Sequence, residues 1–439
     1  MRALDKLKKG TTNKILVKNY DISVVREFLD FLGKPDEGMT IFHVGGTSGK
    51  GSTATLLASV LTAHDLKAGL FVSPHVESVC ERIQIDDEII GIDELEMHLE
   101  KIFYEYDKFV SGKDLRNLTY FELLFVAAVL HFRENNVKHA VIEVGLGGKL
   151  DPTNVLHGDY CILTNVGLDH QRVLGDTVEE IARDKVQIVK NGARFVTGVD
   201  QPSVKEVVKD WVDCRVDGVV LWQSEEFDVR GVEVELGRTR FDYESDTVKF
   251  QKLVTNLTGT HQAINAGLAI SSFLQFARDE DLNWSKDLIN KGLKLKDFPG
   301  RFEVKSRQPL IIWDGAHNGD KMKALFDTLS KVKEDLKLKI LLAVKNDKDF
   351  DAVIEAISSE QSSIQQIVLT DYKVRQDVVA VSANASELKS RLEEKLGKEV
   401  EVVCVHNPEF AYKKVIENFE KDEMVLVCGS FYLLDAISK

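Results

Sequence analysis

Short apolar runs that end in glycine or polar residues alternate with segments of helical period along most of the chain. Strands interleaved with helices in this way form a parallel sheet with crossover helices. In the first half the runs Thr40–Val44, Ala68–Val72, His139–Val144 and Tyr160–Asn165 predict strands. From about Val196 to Val254 the pattern shifts to shorter, more polar segments such as GVEVELGRTRFDYESDTVKF, which predicts a small antiparallel region. Regular alternation resumes with strands expected at Leu310–Trp313, Lys339–Val344, Gln366–Thr370, Val400–Val405 and Met424–Cys428. Between these halves, Pro299-Gly300 in LKLKDFPGRFE is turn chemistry, so a domain junction is expected around Phe298, dividing residues 1–297 from 298–439. A chain of 439 residues is longer than one hydrophobic core usually organises, which fits two domains.

Composition narrows the function classes. No window approaches the run of about 20 apolar residues that a membrane span needs. The opening MRALDKLKKGTTNK is basic without a following apolar segment of signal-peptide type, so a cytoplasmic location is expected. Cys80, Cys161, Cys214, Cys404 and Cys428 are odd in number and widely spaced, which argues against a disulfide framework or zinc knuckle and for mostly strand-core thiols. A net charge of −14 argues against a nucleic-acid partner, and an anionic substrate would need a locally basic pocket.

The stretch TIFHVGGTSGKGSTATLLASVL reads as strand, glycine-rich loop and helix. Backbone amides of such a loop and the helix N-terminus converge on phosphate oxygens, with a lysine reaching the terminal phosphates. Gly46, Gly49 and Gly51 allow close approach, Lys50 supplies charge, and Ser52 or Thr53 could face Mg2+. Gly51 separates Lys50 from Ser52, a departure from the common GxxxxGK[ST] loop. The expected fold is therefore α/β: a P-loop-type, mostly parallel sheet with flanking helices and a small antiparallel region, then a second, Rossmann-like α/β domain.

GTSGKGS resembles the loop of the Mur ligase superfamily, and especially of its folylpolyglutamate synthase and dihydrofolate synthase branch. Further segments match in order: SPHVESVCERIQIDDEII, LTYFELL, EVGLGGKLDPTNV, TNVGLDHQRVLGDTVEEIARDK, GTHQAINAGLAI, FPGRFE, DGAHN and CGSFYLL. The resemblance implies an ATP-dependent ligase that phosphorylates a carboxylate to an acyl phosphate, which an amine then attacks. Such chemistry needs positioning and charge neutralisation rather than a side-chain nucleophile.

By this resemblance Ser73 and Glu143 hold the Mg2+ of ATP, and His170 binds a second Mg2+. Lys185 is similar to a lysine carbamylated by CO2, which requires a lowered amine pKa. Lys50, Glu143, His170 and Lys185 are the implied catalytic set; Gly49, Lys50, Gly51, Ser52, Asn265, Arg301, Asp314 and His317 the implied nucleotide contacts. Asn265 resembles an adenine contact, Arg301 a phosphate contact and Asp314 a ribose contact, and their spread over both halves implies domain closure. Thr119, Tyr120, Phe121, Glu122, Leu150, Asp151 and Pro152 match the region that holds the pterin and pteroate body. Expected partners are a reduced folate, L-glutamate and ATP; the resemblance also implies a monomer stimulated by K+.

Three departures qualify the match. Pro152 stands where alanine is more usual, and Gly319 in DGAHN-Gly stands where proline is common. NYDISVVREFLDFLGKP lacks an Ile-x-Leu-Gly-Leu-like segment associated with dihydropteroate binding and reads as an amphipathic helix. The leading reading is thus addition of glutamate to tetrahydrofolate, with dihydrofolate synthesis as the alternative. A ligase for another carboxylate, or a nucleotide-binding switch without ligase activity, are the readings from other classes.

Overall fold

The computed structural model describes residues 2–10, 20–332, 337–375, 379–397, 399–417, 419 and 423–438. The first half is built on an eight-stranded sheet: β1 (Thr40–Gly45), β2 (Ala68–Phe71), β3 (Ile83–Ile85), β4 (Glu88–Ile89), β5 (His139–Glu143), β6 (Tyr160–Leu163), β7 (Arg194–Thr197) and β8 (Leu221–Trp222). The order is β4-β3-β2-β5-β1-β6-β7-β8, with only β3 running against the others. β1 is central, pairing Phe42 with Val141 of β5 and Val44 with Ile162 of β6. The chain passes from β1 to β2 on one side and from β5 to β6 across it. Ligands of open α/β sheets gather at such a switch, beyond the strands' carboxyl ends.

Each sheet face is sealed by apolar helix surface, which makes β1, β2, β5 and β6 continuous apolar runs rather than alternating ones. Helices Ser23–Phe31, Ile92–Val110 and Tyr120–Glu134 share one core with Phe71 and Ile142. Helices Lys50–Ala63 and Thr260–Asp279 share the opposite core with Phe42 and Val141. The expected amphipathic helix near the N-terminus is present at Ser23–Phe31, burying Val24, Val25, Phe28 and Leu29; the earliest residue of that stretch, Asn19, lies outside the described residues.

The antiparallel region is smaller than the sequence pattern suggests. It comprises β9 (Phe227–Glu235), β10 (Arg238–Ser245) and β11 (Lys249–Thr255). Residues 194–222 instead extend the parallel sheet through β7, helix Pro202–Val212 and β8. Polar surface positions on that helix hid its apolar stripe, which is Val204, Val208 and Val212 at i, i+4, i+8.

The second half carries a six-stranded sheet of β12 (Glu303–Arg307), β13 (Leu310–Trp313), β14 (Lys337–Leu342), β15 (Ile364–Leu369), β18 (Glu401–Cys404) and β19 (Glu423–Cys428). A small ribbon of β16 (Lys373–Arg375) and β17 (Val379–Val381) stands beside it. The order β12-β13-β19-β14-β15-β18 is parallel except for β12, with apolar cores on both faces. All five strands expected here are present, within three residues at each end. All five cysteines are free: Cys161, Cys404 and Cys428 lie in strands, Cys80 is buried outside one and Cys214 is exposed. No helix of the described residues is long and apolar enough to cross a membrane.

Helix Tyr120–Glu134 shows how one carboxylate anchors this arrangement. Thr119 and Glu122 form a reciprocal capping box at its start. Fully buried Glu122 also accepts from both Arg116 Nη atoms at 2.6 and 2.8 Å and from the Tyr20 hydroxyl at 2.7 Å. Removing one partner of a buried ion pair costs about 3–5 kcal/mol. Glu122→Ala is therefore expected to lower unfolding free energy by about 3 kcal/mol, read as a shift in urea midpoint, with Glu122→Gln losing less.

Candidate active site

A cavity of about 530 Å3 opens at the carboxyl ends of β1, β5 and β6 and is closed from the other side by the second half. Five helices direct their N-terminal residues into it: Lys50–Ala63, Tyr120–Glu134, Thr260–Asp279, Gly319–Val332 and Phe431–Ile437. Helix N-termini carry unbonded amides and partial positive charge, so their convergence makes an anion site within a chain of net charge −14.

The loop after β1 fits tightly. Gly49, the N-cap of helix Lys50–Ala63, has φ 81°, and a Cβ there would lie 2.3 Å from Asn265 Oδ1. A Cβ on Gly51 would meet an Arg301 nitrogen at 3.1 Å and both Glu143 carboxylate oxygens at 3.4 Å. The glycines thus admit Asn265 and Arg301 against the loop backbone. Arg301 is held by stacking over Phe298 and Phe431, with Nη1 donating to the Pro299 carbonyl at 3.0 Å.

Glu143, 3% exposed at the end of β5, accepts from the Ser73 amide at 2.7 Å. Burial raises its pKa, while Lys50 and Arg301 oppose that rise. Its carboxylate and the adjoining Ser73 hydroxyl offer hard oxygen donors, the chemistry Mg2+ requires. His170 lies across the cavity in the left-handed region, φ 52°. Burial, then Lys348, lowers its pKa to about 4, so a neutral imidazole with an available lone pair stands there.

Lys185 is 4% exposed, and its ammonium donates to the Gly46 carbonyl at 2.9 Å. Desolvation, then repulsion from Lys50, lowers its pKa to about 7. Lys321 is similarly lowered by burial to about 8 and approaches His317 Nε2 at 3.2 Å. Burial would raise the Asp169 carboxyl, but His170, Lys348, Lys321 and His317 reverse this and hold it well below the usual range. Asp169 meets Lys348 at 2.7 Å, an ion pair joining the two halves with both side chains 10% exposed.

Among the residues expected at the site, Gly49, Lys50, Gly51, Ser52, Ser73, Glu143, His170, Lys185, Asn265, Arg301, Asp314 and His317 line the cavity, with Thr119, Tyr120, Phe121, Asp151 and Pro152. Two do not. Glu122 points away, its oxygens used by Thr119, Arg116 and Tyr20, and Leu150 is exposed outside the cavity. Asp314 has a structural task besides any ligand contact, because its oxygens accept from the Phe302 and Ala316 amides at 2.7 Å each. Gly319 opens its helix where a Cβ would lie 2.9 Å from that of Ala352, so close packing accounts for the small residue.

The sequence reading missed Asp169, Lys321 and Lys348. Lys348 follows β14 at a strand's carboxyl end and Lys321 sits in the first turn of a helix, positions that mark a site in this fold class. The signal was present, but only the folded chain brings the two lysines to Asp169.

Family comparison agrees with this geometry. Residues 44–273 match the Mur ligase middle domain, and residues 300–431 match the Mur ligase glutamate ligase domain. The folylpolyglutamate synthase of Lacticaseibacillus casei is 32% identical over 349 residues, covering 80% of this chain and 81% of that protein. The chain belongs to the Mur ligase family, in its folylpolyglutamate synthase branch. A dihydrofolate synthase/folylpolyglutamate synthase of Bacillus subtilis is 26% identical over 430 residues, covering 94% of this chain and 93% of its own. The apo folylpolyglutamate synthase of L. casei superposes with a TM-score of 0.82 at 27% identity, covering 100% of this chain and 98% of that one. The Thermotoga maritima folylpolyglutamate synthase superposes with a TM-score of 0.80 at 26% identity, covering 96% and 93%.

In this Mur ligase, Lys185 couples the site to stability. At pH values between about 7 and the ordinary lysine range, the unfolded chain carries a proton on this amine that the folded chain does not. Its cost to folding is full below pH 7 and is relieved as pH rises. In CO2-free buffer, urea unfolding between pH 7.5 and 9.5 should show stability rising more steeply with pH for the parent than for Lys185→Met. The difference should approach about 1.4 kcal/mol per pH unit.

Proposed function

We propose that this chain joins L-glutamate to a reduced folate at the expense of ATP, lengthening a glutamate tail by one amide bond. The carrying observation is that a glycine-rich phosphate loop, a buried carboxylate and a crowded set of cations from both halves line one cavity. Members of the family named folylpolyglutamate synthase, and a solved complex of one with AMPPCP and folate that superposes with a TM-score of 0.82, support the assignment. The junction is taken at residues 297/298, between the matched segments 44–273 and 300–431. The working unit is read as a cytoplasmic monomer.

In this reading the loop amides and Lys50 bind the ATP phosphates, Asn265 faces the nucleotide side, and Arg301 neutralises charge on the γ-phosphate as the halves close. Ser73 and Glu143 would hold one Mg2+ and His170 a second. These ions would neutralise charge on the transferring phosphoryl group. The folate lies along Thr119, Tyr120, Phe121, Asp151 and Pro152, its terminal carboxylate directed at the γ-phosphate. Attack of that carboxylate on the phosphate yields an acyl phosphate and ADP. The neutral glutamate amine then attacks the acyl carbon, the C–O bond to phosphate breaks, and the nitrogen gives up one proton to the departing phosphate as the amide forms. Lys185, neutral in substantial fraction at pH 7, adds to CO2 and gives up one proton to become a carbamate, an anion able to orient the His170 side of the site.

Lys321 and Lys348 face the cavity from the second half, opposite the phosphate loop, and suit the carboxylates of the incoming amino acid. Lys348→Ala should raise the KM for glutamate about tenfold or more while changing that for ATP much less. An equal rise in both would refute the placement.

The direct test is ADP release with Mg2+, ATP and glutamate, comparing no acceptor, dihydropteroate and tetrahydrofolate, with products weighed by mass spectrometry. Release that needs tetrahydrofolate and a product heavier by one glutamyl unit is expected. Turnover with dihydropteroate would favour the second reading, and none with either would overturn the substrate assignment. Lys185→Ala should abolish ligation and retain ATP binding; removing bicarbonate should slow the parent.

A further inference from the structure

Away from the cavity, three ligand-type side chains meet between two antiparallel helices of the first core. Glu94 and His98 lie one turn apart on helix Ile92–Val110, and His131 faces them from helix Tyr120–Glu134. His98 is 1% and His131 5% exposed, while the Glu94 side chain reaches solvent at 42%. His131 Nδ1 stands 3.3 Å from His98 Nε2 and 3.2 Å from Glu94 Oε1. It also stands 3.3 Å from Asn135 Nδ2, which donates to the His131 carbonyl at 3.0 Å.

Hydrogen bonds alone do not satisfy all of these close approaches at once. If His131 Nδ1 is bare, it accepts from His98 and Asn135, but its lone pair then opposes the Glu94 carboxylate. If it carries the proton, it donates to Glu94 and opposes the Asn135 amide, which cannot turn over without losing the His131 carbonyl. Each neutral ring has one proton, so in the geometry observed either assignment sets like against like at the buried His131 Nδ1, with Glu94 reaching it from the solvent side.

We propose that Glu94, His98 and His131 form a site for a zinc-type divalent cation that clamps these two helices together. His98 Nε2, His131 Nδ1 and Glu94 Oε1 then act as lone-pair donors to one centre. Tetrahedral zinc with metal–ligand distances of about 2.0–2.1 Å sets neighbouring donors about 3.3 Å apart, the spacing of His131 Nδ1 from both other donors, and all three donors lie within 4.8 Å of one another. Two imidazoles and one carboxylate suit a borderline cation rather than Mg2+, and the fourth position opens toward solvent beside Glu94. Zinc on His98 Nε2 places that ring's proton on Nδ1, a buried atom without an acceptor among the described residues, which keeps affinity in a moderate range. The clamp would brace the helix whose N-terminal Tyr120 and Phe121 line the cavity.

The test is a Zn2+ titration of the metal-stripped full chain in excess Mg2+, which occupies hard oxygen sites. About one zinc equivalent is expected, bound at least about tenfold more weakly by Glu94→Gln and lost in His98→Gln with His131→Gln. Co2+ in the parent should give the intense visible absorption of a four-coordinate site. Equal zinc affinity in parent and Glu94→Gln, or no such absorption, would overturn the proposal. Because the two histidines are buried, Glu94→Gln and the Co2+ spectrum decide the matter even if the double variant fails to fold.

Discussion

Mutual repulsion among buried cations is the constraint on which this site depends. Lys50, Lys185, Arg301, Lys321 and Lys348 surround one cavity, together with the positive ends of five helices. The nearby carboxylates Glu143 and Asp169 offset only part of this charge. Burial first, and repulsion from Lys50 beside it, lower the lysines themselves: Lys185 to about 7 and Lys321 to about 8, with Asp169 opposing both shifts. Such a place is unfavourable until an anion enters, and a polyphosphate with two carboxylate substrates is a large anionic load. Anion binding therefore relieves this crowding of charge.

The same electrostatics ties the halves of the molecule together. Asp169 at the end of the first sheet's site pairs with Lys348 of the second, and Arg301 projects over the phosphate loop through a gap that Gly51 leaves. Neither half alone presents both the phosphate cradle and the cations facing it. Catalysis by positioning, with no covalent nucleophile, suits this geometry, since what must be controlled is the approach of two anions and one amine.

Much of this was legible from the chain. Thr40–Val44 followed by GTSGKGS specifies a strand, a phosphate loop and a helix through local chemistry alone, and the structure differs there by a residue. The strands after Leu310 were legible because β13, β14, β15, β18 and β19 are apolar runs bounded by polar turns. The reading failed where burial is one-sided. β7 and β8 are only four and two residues long, and the helix between them shows a narrow apolar stripe, so the stretch from about Val196 to Trp222 was merged with the antiparallel ribbon. Glu122 was misjudged for a related reason: its neighbours Thr119, Tyr120 and Phe121 face the cavity, but a helical residue's direction is set by its turn, and the capping box turns this carboxylate to Arg116 and Tyr20.

By itself the sequence determined the α/β class, the phosphate loop, the family and most of the residues around the cleft, because each is encoded in short segments whose chemistry is local. Only tertiary structure decided which charges meet. Asp169 is 179 residues from Lys348, and Lys185 lies 139 from the Gly46 carbonyl it touches. The lowered Lys185 pKa and the Asp169–Lys348 pair arise from desolvation and Coulomb forces between groups distant in sequence, and these exist only once the sheet and the second half have folded around them.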